Sequence, residues 1–111
     1  MYTYKATIFK VHDADTFFAE VDLGFHVDKS MWLRLAGVDA PELSAPEGRA
    51  ALQFVQEWFA GCRDVVITTE RDRNGAERQT FGRYVAHVYN AIGESLGDAL
   101  IAAGHGKARE A

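Results

Sequence analysis

Five short strand-like runs, an amphipathic helix between the third and fourth, and a second helix after the fifth predict the fold. The class is α+β, mainly β: a five-stranded OB-type barrel with two helices, in the order βββ-α-ββ-α. The first run covers residues 2–11, where Tyr2, Tyr4, Ala6 and Ile8 alternate with Thr3, Lys5 and Thr7. The second covers residues 16–23, with Phe17, Ala19, Val21 and Leu23 set against Thr16, Glu20 and Asp22. Asp22-Leu23-Gly24 reads as a turn into a third strand, Ser30–Val38, so the first forty residues form a meander.

The first helix opens at Ser44-Ala45-Pro46-Glu47, which has the spacing of a capping box, and Pro46 suits a first turn whose amides have no helical partner. Ala51, Phe54, Val55, Trp58, Phe59 and Cys62 follow as one apolar stripe, with Gly61 near its end. The β-branched run in Asp64–Glu70 predicts the fourth strand. A polar loop containing Asn74-Gly75 leads to the fifth, Arg83–Tyr89. Ser95 and Asp98 open a short helix that Gly104 closes.

At 111 residues the chain reads as one domain, 1–111, and its 48% hydrophobic and 25% charged residues are the balance of a globular protein. One cysteine excludes an internal disulfide. The first ten residues carry charge and no long apolar run, so neither a signal peptide nor a membrane partner is expected, and a cytoplasmic setting is the default. Nothing demands more than a monomer. The net charge of −4 gives no broad attraction to nucleic acid, so phosphate chemistry here needs local positive charge or a bound cation.

Four clusters stand out against that background. Asp13-Ala14-Asp15-Thr16 places two carboxylates where the first strand turns into the second, a common turn composition by itself. Arg34, flanked by Leu33 and Leu35 in a central strand, must be paired there, either by an acidic residue or by an anionic phosphate. Asp39-Ala40-Pro41-Glu42 sets carboxylates on either side of a rigid proline. If Asp15 and Asp39 meet, they form a hard oxygen site that a carbonyl and waters could complete. The loop from Arg71 to Arg83 carries four arginines against Asp72 and Glu77. Most of it reads as a solvated hairpin tip, with Arg83 after Gly82 as the exception. His12, His26, His87 and His105 lack the spacing of a zinc site, and no glycine-rich phosphate loop or nucleophile elbow is present.

Asp13-Ala14-Asp15-Thr16, then Arg34-Leu35-Ala36-Gly37-Val38-Asp39-Ala40-Pro41-Glu42, then Phe81-Gly82-Arg83 together resemble the staphylococcal nuclease (thermonuclease) family. Pro46-Glu47-Gly48-Arg49-Ala50-Ala51 is also a common helix opening in that family. The resemblance runs from about Tyr4 to Gly104. It implies a Ca²⁺-dependent nuclease on an OB-fold barrel, acting on DNA or RNA, with single strands favoured, and leaving 3′-phosphate ends. It further implies that Asp15 and Asp39 ligate one calcium ion together with the main-chain carbonyl of Ala40. Glu42 would position or deprotonate the attacking water, and Arg34 and Arg83 would grip the scissile phosphate. Phe81 would lie at the substrate, without the hydroxyl of the tyrosine usual there.

Four further departures bear on this. Ala14 replaces a frequent glycine, and would be strained if the turn needs a positive φ. Ala40 replaces a frequent threonine and Thr80 a frequent lysine. The sequence ends before an aromatic-bearing segment of longer members, so weaker, salt-sensitive substrate binding is expected. The competing expectation is an OB-type module that binds single-stranded nucleic acid or a protein partner without turnover. A purely structural domain ranks below both, because it leaves Arg34 and the acid pair without a role.

Overall fold

The protein is described by a computed structural model covering residues 2–70, 79–80 and 83–109. The strand β1 (Tyr2–Asp13) pairs antiparallel with β2 (Thr16–Asp22), which pairs antiparallel with β3 (Asp28–Leu35). A turn at Ala36–Gly37 leads to a two-residue strand, β4 (Val38–Asp39). Then come α1 (Pro46–Ala60), β5 (Asp64–Thr69), β6 (Gln79–Thr80), β7 (Arg83–Tyr89), α2 (Leu96–Ala102) and β8 (Lys107–Ala108). The main sheet runs β3-β2-β1-β5-β7-β6, and β3 also pairs parallel with β7 through Leu33↔Tyr84, Arg34↔Val85 and Leu35↔Ala86. That pairing closes a five-stranded mixed barrel from β1, β2, β3, β5 and β7, as the element order predicts.

The alternation read in the sequence is the inward-facing register. Ala6 and Ile8 of β1, Phe17, Ala19 and Val21 of β2, Leu33 of β3, Val65 and Ile67 of β5 and Ala86 and Val88 of β7 are all buried. β1 is longer than its alternation suggests because it carries register shifts between Ile8 and Lys10 and between Val11 and Asp13. Such bulges bend a strand and sharpen its twist, which lets one strand serve two neighbours around a barrel corner. The hairpin between β2 and β3 turns through three left-handed residues, Gly24, Phe25 and His26.

The amphipathic helix covers one end of the barrel: Ala51, Val55 and Phe59 are buried, and Phe59 meets Phe17 edge to face at 5.6 Å. Three local expectations are corrected here. The N-cap of α1 is Ala45, with no side-chain cap, so Ser44 does not form a capping box. The turn that Glu42 and Ala45 close by a backbone hydrogen bond puts Ser44 one position too early. Cys62 is exposed and lies beyond the C-cap Gly61, so the apolar stripe ends at Phe59 rather than running through the cysteine. The third strand stops at Leu35 because Gly37 adopts φ 75°, a left-handed turn that interrupts the run to Val38. The second helix matches its prediction: Ser95 accepts from the Asp98 amide at 3.2 Å. The Gly104 and His105 amides donate back to Ile101 and Leu100, a Schellman closure around Gly104 at φ 79°. No helix among the described residues is long and apolar enough to cross a membrane.

Candidate functional site

The Ala36–Gly37 turn folds the chain back over its own arginine. Arg34 Nη1 donates to the carbonyls of Leu35 and Val38, each at 3.0 Å, and Nη2 donates to Asp39 Oδ1 at 2.8 Å. On the other side, Asp15 Oδ2 lies 3.2 Å from Nη1. The β1–β2 turn is tied to the same place by two bonds: the Leu35 amide donates to the Asp15 carbonyl at 2.8 Å, and the Ala40 amide donates to Asp15 Oδ2 at 3.1 Å. Arg34 is therefore paired as a buried guanidinium must be, and both of its carboxylate partners are the acids the sequence singles out.

Arg83 rises from the same sheet face. Thr16 pairs with Arg34 in register and Arg34 with Val85, and Arg83 precedes Val85 by two residues, which keeps it on that face. Its Nη1 donates to Thr16 Oγ1 at 3.1 Å, so the buried Thr16 hydroxyl positions one arginine beside the other. Thr16 alternates with Phe17 and so lies on the opposite face of β2, yet it is only 3% exposed there.

The Glu42 side chain is not bonded to this cluster. Its carboxylate is exposed and makes no hydrogen bond or ion pair among the described residues. Its main chain is held instead, with the carbonyl accepting from the Ala45 amide at 3.0 Å. A cavity of about 300 Å³ opens beside Asp39, Ala40 and Pro41, walled on its far side by Gly104, His105, Gly106 and Lys107. Phe81 lies outside the described residues, as does most of the arginine-bearing loop.

One contributor escaped the sequence reading. Arg109 Nη1 approaches Asp39 Oδ1 to 3.6 Å, and its amide donates to the Gly37 carbonyl, because β8 pairs with β4. A two-residue strand after a helix leaves no periodicity to read. Asp13 accepts from the Asp15 amide at 3.1 Å, which organises the turn. Ala14 is buried and is not among the residues with positive φ, so its methyl fills the core without the strain considered above.

Burial and a shared hydrogen bond with Asp13 push the Asp15 carboxyl up to about 6, although the Ala40 amide and Arg34 pull the other way. Burial also pushes Asp13 up, but the hydrogen bonds it receives from Asp15 and Thr16 outweigh that and hold it below its usual value. The two carboxylates on Arg34 are hard oxygen donors of the kind a divalent cation takes together with water, whereas the part of the Ala40 peptide that meets Asp15 is its amide N–H. The protein donor set is sparse: among the described residues, no group of three or more His, Cys, Asp or Glu side chains is placed to hold a metal ion.

The family model for the staphylococcal nuclease homologues matches residues 32–111, from within β3 to the end of the sequence. Arg34, Asp39, Glu42 and Arg83 lie inside the matched span, and Asp15 precedes it. No curated protein matches the chain.

Proposed function

We propose that this chain, which belongs to the staphylococcal nuclease family, hydrolyses phosphodiester bonds of single-stranded DNA or RNA at the edge of the barrel formed by Asp15, Arg34, Asp39, Glu42 and Arg83. The observation that carries the reading is the meeting of Arg34 with Asp15 and Asp39 on one side and Arg83 beside it on the same face. A structural ion pair needs one acid. Two acids on one buried arginine, with a second arginine alongside, suit a scissile phosphate and its counterion better.

In this reading Arg34 and Arg83 bind the non-bridging oxygens of the phosphate and stabilise the charge that builds there in the transition state. Glu42 takes the proton of the attacking water as its oxygen bonds to phosphorus. The bond from phosphorus to the 5′-oxygen breaks, that oxygen takes a proton from solvent, and the phosphate stays on the 3′ side. Asp15, Asp39 and the Ala40 carbonyl would hold one Ca²⁺, which when bound supplies positive charge to the phosphate and the attacking water. The exposure of Glu42 leaves its carboxylate room to reach a water above the phosphate. Lys107, across the cavity beside Asp39, would meet a neighbouring phosphate of the strand.

One observation favours the second reading, a binding module without turnover. Arg34 is already neutralised by two carboxylates, and the acids are too few to hold a cation tightly on their own. The experiment is cleavage of single-stranded DNA at low salt with Ca²⁺ or with EDTA, by the parent chain, Glu42→Gln and Asp39→Ala. Cleavage that needs Ca²⁺ and falls by orders of magnitude in both variants is the expected result. DNA binding without cleavage by the parent would overturn the enzyme and leave the module.

A further inference from the structure

The hairpin between β2 and β3 turns its apolar side chains out to solvent: Leu23 is 40%, Phe25 98% and Val27 51% exposed. Phe25 and His26 also hold left-handed backbone, at φ 54° and 60°, where glycine or asparagine would sit with less strain. A turn that carries a bare phenyl ring at its tip is costly in backbone and in exposed apolar surface together, and points to a contact.

The same hairpin borders a cavity. Phe17 packs against α1 at one end of the barrel, while Val21 and Leu23, further along the same face, line a cavity of about 160 Å³ at the other. Tyr4, Met31 and Tyr84 wall it as well, and the exposed Lys29 stands among them. Thr69 lines it too, 5% exposed, with a hydroxyl that has no hydrogen-bond partner among the described residues. An apolar cavity of about 150 Å³ is known to admit benzene, so this one suits a single six-membered ring. The unpaired hydroxyl calls for a polar group beside that ring. Phe25 and His26 present that combination, a phenyl with an imidazole next to it. The exposure of Phe25 keeps it out of its own mouth and leaves it for another.

Charge agrees with a second copy as the occupant. Asp22 and Asp28 are opposed in register at the base of the tip, and both are exposed. Like charges so placed repel. A tip entering the mouth of another copy carries this pair to the Lys29 there. Tip and mouth share one hairpin, so the contact can be made in both directions about a two-fold axis, and association closes at two copies.

We propose that the chain forms a weak dimer in which each hairpin tip enters the other copy's barrel mouth. Phe25 fills the cavity, His26 pairs with the Thr69 hydroxyl, and Lys29 of one copy meets Asp22 and Asp28 of the other. Two buried rings of about 150–250 Å² each fall well short of the roughly 1,200 Å² of a stable complex, which sets a dissociation constant of about 0.1–1 mM. Dilute protein is therefore monomeric, with Phe25 in solvent.

The test follows the whole chain by sedimentation and amide NMR shifts from about 0.02 to about 2 mM, a range that brackets that constant. The mass is expected to rise toward two copies and no further, while the Phe25, His26 and Thr69 amides move with concentration. Phe25→Asn, which suits the turn, should weaken association about tenfold without lowering the thermal midpoint of dilute protein. Lys29→Glu and Asp28→Lys should each weaken it about threefold. An equimolar mixture of those two variants should recover it, since every lysine then meets a carboxylate across the interface. A parent that stays monomeric throughout, a mass that climbs past two copies, or association indifferent to Phe25→Asn would overturn the dimer. So would a mixture that associates no better than its parts. A monomeric parent whose mouth amides move on addition of phenol would assign the mouth to a free aromatic ligand and overturn the second copy.

Discussion

The backbone of Gly48, in the first turn of α1, lies so close to the Glu42 carbonyl that a methyl group on Gly48 would overlap it. The obstruction is backbone and not a mobile side chain, so one of the two segments would have to move. The chain that carries Glu42 is therefore held against the helix by the absence of a side chain six residues later.

Gly48→Ala separates helix propensity from that close approach. In an open helix the change would stabilise by up to about 1 kcal/mol. Here the overlap should outweigh it, with a net loss of about 1–2 kcal/mol in urea unfolding. Under the proposed function, displacement of Glu42 should also cost phosphodiester cleavage at least tenfold. Gly61→Ala is the control, since nothing stands within 4 Å of its added methyl. It should be neutral or slightly stabilising, and equal effects at the two sites would disprove the contact.

Removing the guanidinium of Arg34 leaves two main-chain carbonyls and the Asp15 carboxylate without their partner. Arg34→Ala should cost about 3–5 kcal/mol of stability. Arg34→Lys should recover only part, because one ammonium cannot serve carbonyls and carboxylates on opposite sides. Denaturant midpoints of the three proteins check this, and a loss under about 1 kcal/mol in the alanine variant would mean the arginine is not held as described.

The raised Asp15 carboxyl predicts an unusual pH profile for the metal-free chain. Its ordinary value is 3.8 and its folded value about 6, so between these the folded state binds more protons than the unfolded one. Stability supplied by that proton is complete below about pH 4 and is lost as pH rises through 6, by about 3 kcal/mol. Asp13, held below its usual value, has the opposite sign and acts below about pH 4, where stability should fall as acid is added. Urea midpoints in EDTA should therefore peak near pH 4 and decline toward pH 7, and Asp15→Asn should flatten the decline. A parent profile that rises from pH 4 to 7 would refute the shift.

Phe25 and His26 hold φ of 54° and 60°, and Phe25 is 98% exposed, so its ring contributes no burial to offset a left-handed backbone. Phe25→Asn should raise stability by about 0.5–1 kcal/mol, because asparagine tolerates that conformation. The thermal midpoint measures it. A decrease would show that the exposed ring has a partner within the chain.

Much of this molecule is legible in the sequence because its signals are local. Period-two alternation places Phe17, Ala19 and Val21 inward without reference to any other strand. Arg83–Tyr89 is a strand with the predicted bounds, and Ser95 and Gly104 cap α2 through neighbours only a few residues away. The candidate acids and arginines are legible too, since a charged residue between leucines or beside a proline stands out from its surroundings.

What the sequence by itself determined is thus the order of elements, the faces that turn inward and the short list of charged residues that need a partner. Only the tertiary structure decided which partners they take. Asp15, Arg34 and Asp39 meet because β1–β2 and β3 share a barrel edge, and Arg109 joins them through a two-residue pairing with no pattern of its own. Ser44 fails as a cap and Cys62 leaves the core for the same reason. A side chain's neighbours depend on where the backbone of distant segments passes, and the Glu42–Gly48 approach and the closure of β3 on β7 are contacts that local spacing does not encode.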